Sequence, residues 1–130
     1  HEDELSTDGG YIYSQGSRTQ DNPVGVEVIR LPNERGKVDL PQLMKRLAER
    51  AINEVHVEAG SKLNASLVRE GCVDELLVYL APSLIGAGQG MFALPPPARL
   101  ADKIALRFHA VTPVGADLRI LARLQTEQST

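Results

Sequence analysis

Residues 53–71 read NEVHVEAGSKLNASLVREG, and the reading of this stretch decides the fold. Its first half alternates: Val55 and Val57 fall on one side of an extended chain, His56 and Glu58 on the other. Gly60 then punctuates the pattern. The run KLNASLVRE that follows has helical spacing, and Gly71 stops it. The stretch therefore predicts a strand, a tight turn and a short helix.

The same order continues outward. Upstream, VGVEVIRL (24–31) is β-branched and alternating, which predicts a strand. PNERGKVD supplies a turn. Asp39 is a good N-cap for a helix in which Leu40, Leu43, Met44 and Leu47 form the apolar stripe, with Pro41 in the first turn. Downstream, VDELLVYLAP reads as a buried strand ended by Pro82. Strand–helix–strand–helix–strand over residues 24–81 predicts a parallel sheet with right-handed crossovers. After Pro82 comes a long irregular connection, Gly-rich at 86–90 and Pro-rich at 95–97. KIALRFHAVTPVG and ADLRILARL then predict an antiparallel hairpin turning near Gly115. Residues 1–23 are polar and read as loop, apart from a short strand at YIYSQG; residues 125–130 read as a disordered tail.

Three readings of the turn at Gly60 compete. His56-Val57-Glu58 has the H-x-E form of zinc-dependent nucleobase deaminases, but such sites need two further ligands, normally from P-C-x-x-C. The chain has one cysteine, Cys72, and no such motif, so a zinc site within it is rejected. An ordinary α/β turn is the second reading, with Gly60 supplying backbone freedom. In the third, the first N–H groups of the helix have no internal partner and, with the helix dipole, suit a phosphate. Ser61 would add a hydroxyl donor and Lys62 a charge. This is not a full G-x-G-x-x-G fingerprint, so spacing alone leaves the last two readings open.

Composition narrows the function classes. The chain has 130 residues, enough for one domain, with 14 basic and 17 acidic residues and a net charge of -3. No basic run exceeds Lys45-Arg46 and aromatics make up only 4%, which sets nucleic acid aside. A single cysteine suits a reducing, cytoplasmic setting. No stretch approaches the roughly 18 apolar residues of a membrane span, and no apolar leader opens the chain.

The string VHVEAGSKLNASLVREGCVDELLVYLAPSLIGAGQGMFALP closely resembles the reductase half of the bifunctional riboflavin-biosynthesis deaminase–reductase family. V-E-[GA]-G, a helix, VDEL, a strand, AP and LIG occur in the family's order and spacing. GVEVIRLPNERGKVDLPQLMKRLAER and RFHAVTPVGADLRILARL extend the likeness to residues 24–124, as the C-terminal part of a reductase domain. The resemblance implies an α/β, dihydrofolate-reductase-like three-layer fold with a mixed, mostly parallel sheet and the C-terminal hairpin. It implies NADPH as hydride donor and reduction of the ribosyl group of 5-amino-6-(5-phosphoribosylamino)uracil to ribityl. By the same likeness Glu58 matches a substrate-contacting carboxylate. Gly60, Ser61, Lys62, Leu63, Asn64, Ala65 and Ser66 match the NADPH-contacting turn. That favours the third reading of Gly60. A deaminase domain and the first half of the reductase sheet would precede this part, so a fragment is expected to lack several contacts of the complete site.

Other residues read more plainly. Asp74 and Glu75 are adjacent on a strand and point to opposite faces, so they cannot flank one bond. Cys72 has no His nearby in sequence and reads as packed. His109 falls in the hairpin, at a surface or interface. Residues 86–90, GAGQG, read as a flexible loop near the site. The rival class is a non-catalytic α/β binding or oligomerisation module that uses the hairpin as an interface. Under either reading an open sheet edge predicts a homodimer.

Overall fold

The computed structural model describes residues 6–8, 11–15 and 26–125, with side chains from Val28 onward. Two units divide the chain, His1–His56 and Val57–Thr130.

In the first unit, β1 (Ser6–Asp8), β2 (Tyr11–Gln15) and β3 (Val26–Arg30) form an antiparallel sheet in that order. β3 falls where VGVEVIRL predicts it, and β2 takes most of YIYSQG. β1 is a correction, because loop was expected there. Its partner explains it: Ser6, Thr7 and Asp8 pair with Tyr13, Ile12 and Tyr11, so cross-strand bonds override a sequence of low strand propensity.

PNERGK closes on itself. Asn33 Oδ1 accepts from the amides of Arg35 and Lys37, both at 2.9 Å, while Gly36 takes φ +70°, where a side chain would be strained. Asp39 N then donates to Leu31 O at 2.8 Å and launches α1 (Leu40–Glu49). Asp39 caps α1 as its sequence predicts, accepting from Gln42 N at 3.0 Å. Leu40, Leu43 and Leu47 bury the apolar stripe together with Val38.

In the second unit α2 (Ser61–Arg69) is followed by β4 (Glu75–Leu80), a 3-10 turn at Leu100–Asp102, β5 (Leu106–Val114) and β6 (Asp117–Leu124). The sheet order is β4-β6-β5. The hairpin is the expected one, turning at Gly115 with φ +61°, and a bulge lies between Phe108 and Ala110, at His109. Leu76 and Val78 stand opposite Ala122 and Ile120 on one face of the sheet. Ala65, Leu67 and Ala122 are buried among the described residues of this unit. Val68 of α2, with Leu76, Phe92, Leu94, Ile104, Leu106 and Leu124, lines an apolar cavity of about 170 Å³.

The mixed α/β class stands, but the mostly parallel sheet does not: every strand pair among the described residues is antiparallel. Residues 52–59, the expected second strand, form no ladder among the described residues. Period-2 alternation requires only an extended backbone; a strand also requires a neighbour for its N–H and C=O groups. β4 corrects a second expectation. It is an edge strand of its sheet among the described residues, not a buried one, and Tyr79 and Leu80 are more than half exposed.

Candidate functional site

Gly60 is the N-cap of α2 with φ −76° and ψ 168°, an ordinary extended conformation. Backbone freedom therefore does not require a glycine here. A Cβ at this position would meet nothing within 4 Å, so what the glycine leaves is open approach to the helix end. Among the described residues no side chain caps α2. Among the described residues no protein acceptor takes the amides of Ser61, Lys62 and Leu63; the first ladder bond is Asn64 N to Gly60 O, 3.1 Å. Three bare donors, the Ser61 hydroxyl and the exposed Lys62 ammonium thus share one end of a nine-residue helix. The helix dipole adds positive potential there. This donor set fits the pyrophosphate of a dinucleotide and would repel a cation.

The other residues expected at this turn do different things. Asn64 turns its side chain sideways: Nδ2 donates to Ala59 O at 3.1 Å and to Met91 O at 3.3 Å. Ala65 is fully buried. Ser66 Oγ donates to Lys62 O at 3.1 Å and accepts from Arg69 Nη2 at 3.1 Å, so its proton is used within the helix. Leu63 is half-buried. Of the seven residues Gly60–Ser66, four (Gly60, Ser61, Lys62 and Leu63) present groups at the helix end. Glu58 lies exposed in the segment before it, which carries no assigned helix or strand, and is engaged in an interaction of its own. Among the described residues that segment pairs with no strand, so Glu58 does not stand at the carboxyl end of a parallel strand there.

Partners that the sequence does not announce come from the connection after β4. Gln89 Nε2 donates to Ser61 Oγ at 2.9 Å, and Ala93 N donates to Ser61 O at 3.0 Å. With the Asn64–Met91 bond, these tie residues 89–93 to the first turn of α2. Of the stretch expected to be a flexible loop, residues 86–90, Gln89 is bonded to the helix, and the ties at Met91 and Ala93 follow directly after the stretch. Its glycines signal a backbone in unusual conformations, and Gly86 has φ +96°, but nothing in them names Ser61 as a partner 28 positions away. Asp74 and Glu75 act separately, as their adjacency implies. The Asp74 carbonyl accepts from Leu124 N, and Glu75 pairs with Arg123. Among the described residues no three His, Cys, Asp or Glu side chains gather. No described helix is long and apolar enough to cross a membrane.

Fold and site together describe a mixed α/β chain with an anion-receptive helix end beneath a glycine-rich strap. Comparison with known proteins gives that class a family. The chain matches the family described as the RibD C-terminal domain over residues 7–120, and it belongs to that family. It is 38% identical over 107 residues to the riboflavin biosynthesis protein RibD of Escherichia coli K12, covering 78% of this chain and 29% of that protein. It is 28% identical over 86 residues to a 5-amino-6-(5-phosphoribosylamino)uracil reductase of Buchnera aphidicola, covering 65% of this chain and 42% of that protein. In structure it resembles RibD of Acinetobacter baumannii, with a TM-score of 0.62 at 26% identity over 67% of this chain and 25% of that one. The chain therefore spans less than half the length of each of these relatives.

Proposed function

We propose that this chain is the C-terminal part of an NADPH-dependent reductase that converts the ribosyl group of 5-amino-6-(5-phosphoribosylamino)uracil to ribityl. One observation carries the reading: the unpaired first-turn amides of α2, next to Ser61 and Lys62, in a chain of the RibD C-terminal family. The cofactor, when bound, supplies the hydride to the sugar carbon. The chain's own part is positioning. The amides of Ser61, Lys62 and Leu63 and the Lys62 ammonium hold the anionic linker, and Gly60 leaves room for it. Leu63, Asn64, Ala65 and Ser66 complete the turn as structural support. Glu58 holds polar groups of the substrate; binding is favoured over proton transfer because it needs no tuned pKa. The single cysteine fits a cytoplasmic enzyme.

Thermal or chemical denaturation with and without NADPH tests the cofactor site. A ligand at about 100 times its dissociation constant adds roughly 2.7 kcal/mol to stability. Gly60→Asp places a carboxylate where the linker would lie, in space that is open in the structure, so it should abolish this increment, while the unliganded transition stays in place or rises slightly because Asp is a favoured N-cap. An NADPH increment equal in both proteins defeats the reading.

A homodimer through the open edge of β4 or the hairpin surface belongs to the same proposal. Tyr79 and Leu80 on β4, and Phe108 and Val111 on β5, are at least half exposed, and unprotected edges recruit partners. Sedimentation of the chain with and without Leu77→Lys, which puts a charge on the edge strand, decides this point. The same surface supports the rival reading, a non-catalytic binding module, which predicts association without any response to NADPH.

A further inference from the structure

We propose that Gln89 is a positioning residue for the cofactor's anionic linker, acting through the Ser61 hydroxyl; this inference rests on the reading just given. A serine hydroxyl has one proton and two acceptor lone pairs. At Ser61 the Gln89 amide occupies a lone pair from 2.9 Å. The hydroxyl proton is thereby turned away from Gln89, and among the described residues no acceptor takes it. The unused proton belongs to the same residue whose backbone amide is bare, at the end of α2 where the Lys62 and Leu63 amides are also bare. Gln89 thus converts a freely rotating hydroxyl into a directed donor and adds it to the anion-receptive set.

The arrangement is braced independently of Gln89. Ala93 N holds the Ser61 carbonyl, and Asn64 holds the Met91 carbonyl. The strap therefore has anchors that remain when the Gln89 side chain is removed. Gly88 and Gly90 flank Gln89; a Cβ on Gly88 would meet nothing within 4 Å, and one on Gly90 would make only an ordinary contact with Phe92 O at 3.7 Å. A carboxylate at position 89 would do the reverse of the amide. It can only accept, so it would take the Ser61 proton and add a negative charge beside the linker.

Isothermal titration of the full chain with NADPH tests this, using wild type, Gln89→Ala, Ser61→Ala, the double variant and Gln89→Glu. Gln89→Ala should weaken binding about tenfold, the scale of one charge-assisted hydrogen bond. The double variant should bind no more weakly than Ser61→Ala, because the effect passes through that hydroxyl. Gln89→Glu should bind more weakly than Gln89→Ala. Amide exchange of residues 89–93 should be unchanged in Gln89→Ala. If Gln89→Ala binds like wild type, or if its loss persists in the Ser61→Ala background, the positioning role is overturned while the cofactor site stands. If the wild-type chain does not bind NADPH, both are overturned.

Discussion

Asn64 joins two stretches of chain 27 positions apart: its Nδ2 lies 3.3 Å from the carbonyl of Met91 while also donating, at 3.1 Å, to Ala59 O. One side-chain amide thus ties the approach to α2, its first turn and the connection after β4. Asn64→Ala leaves two carbonyls without this donor and should lower stability by about 1–2 kcal/mol. Asn64→Asp should be worse at neutral pH, because a carboxylate would face two carbonyl oxygens. It should recover partly in acid, where the neutral carboxyl can donate to one of them. Denaturant titrations at pH 7 and pH 4 distinguish the two variants.

The helix α1 depends on its cap and its stripe. Asp39→Ala removes the acceptor for Gln42 N and should cost about 1 kcal/mol. Leu43→Ala, at a position only 4% exposed, should cost about 2–5 kcal/mol. Both losses should appear as faster amide exchange within Leu40–Glu49, read residue by residue by NMR.

Arg99 and Asp102 clasp the 3-10 turn with two hydrogen bonds, 3.1 and 2.8 Å. The Arg99 side chain holds the Asp102 carboxyl below its ordinary value, and the same bond raises the guanidinium. An acid depressed in the folded state contributes stability above its unfolded pKa, and that contribution disappears as pH falls through the lower folded value. The turn should therefore be unaffected near neutrality and loosen only in acid, below about pH 4. Carboxyl-carbon NMR should find Asp102 titrating below the usual range in wild type and within it in Arg99→Ala.

Arg123 bonds Glu75 across β6 and β4 at 3.0 Å, while Arg107 stands opposite Arg123 on the other side. Both members of the pair are solvent-accessible, so a double-mutant cycle with Glu75→Gln and Arg123→Gln should give a coupling below about 1 kcal/mol that shrinks with salt. Glu75→Gln alone should cost more than Arg123→Gln alone, because it leaves two arginines opposed without a carboxylate.

Much of this protein was legible from local chemistry. The Asp39 cap, the Leu40, Leu43 and Leu47 stripe, the stop at Gly71 and the turn at Gly115 are all decided within a few residues, by hydrogen-bond reach and by backbone conformations that glycine tolerates. The motif string from Val55 to Pro95 was enough to suggest the family, which the match over residues 7–120 shows. What the local pattern could not decide was partnership. Alternation in residues 53–59 is compatible with a strand, but whether a neighbour supplies the ladder depends on chain far away in sequence, and among the described residues none does. The same holds for Ser6–Asp8, a strand only because Tyr11–Tyr13 lies beside it, and for Ser61, whose hydroxyl is oriented by a glutamine 28 positions on. Caps and turns are short-range and can be read along the chain; ladders and side-chain clasps are long-range, and only the folded molecule assigns them.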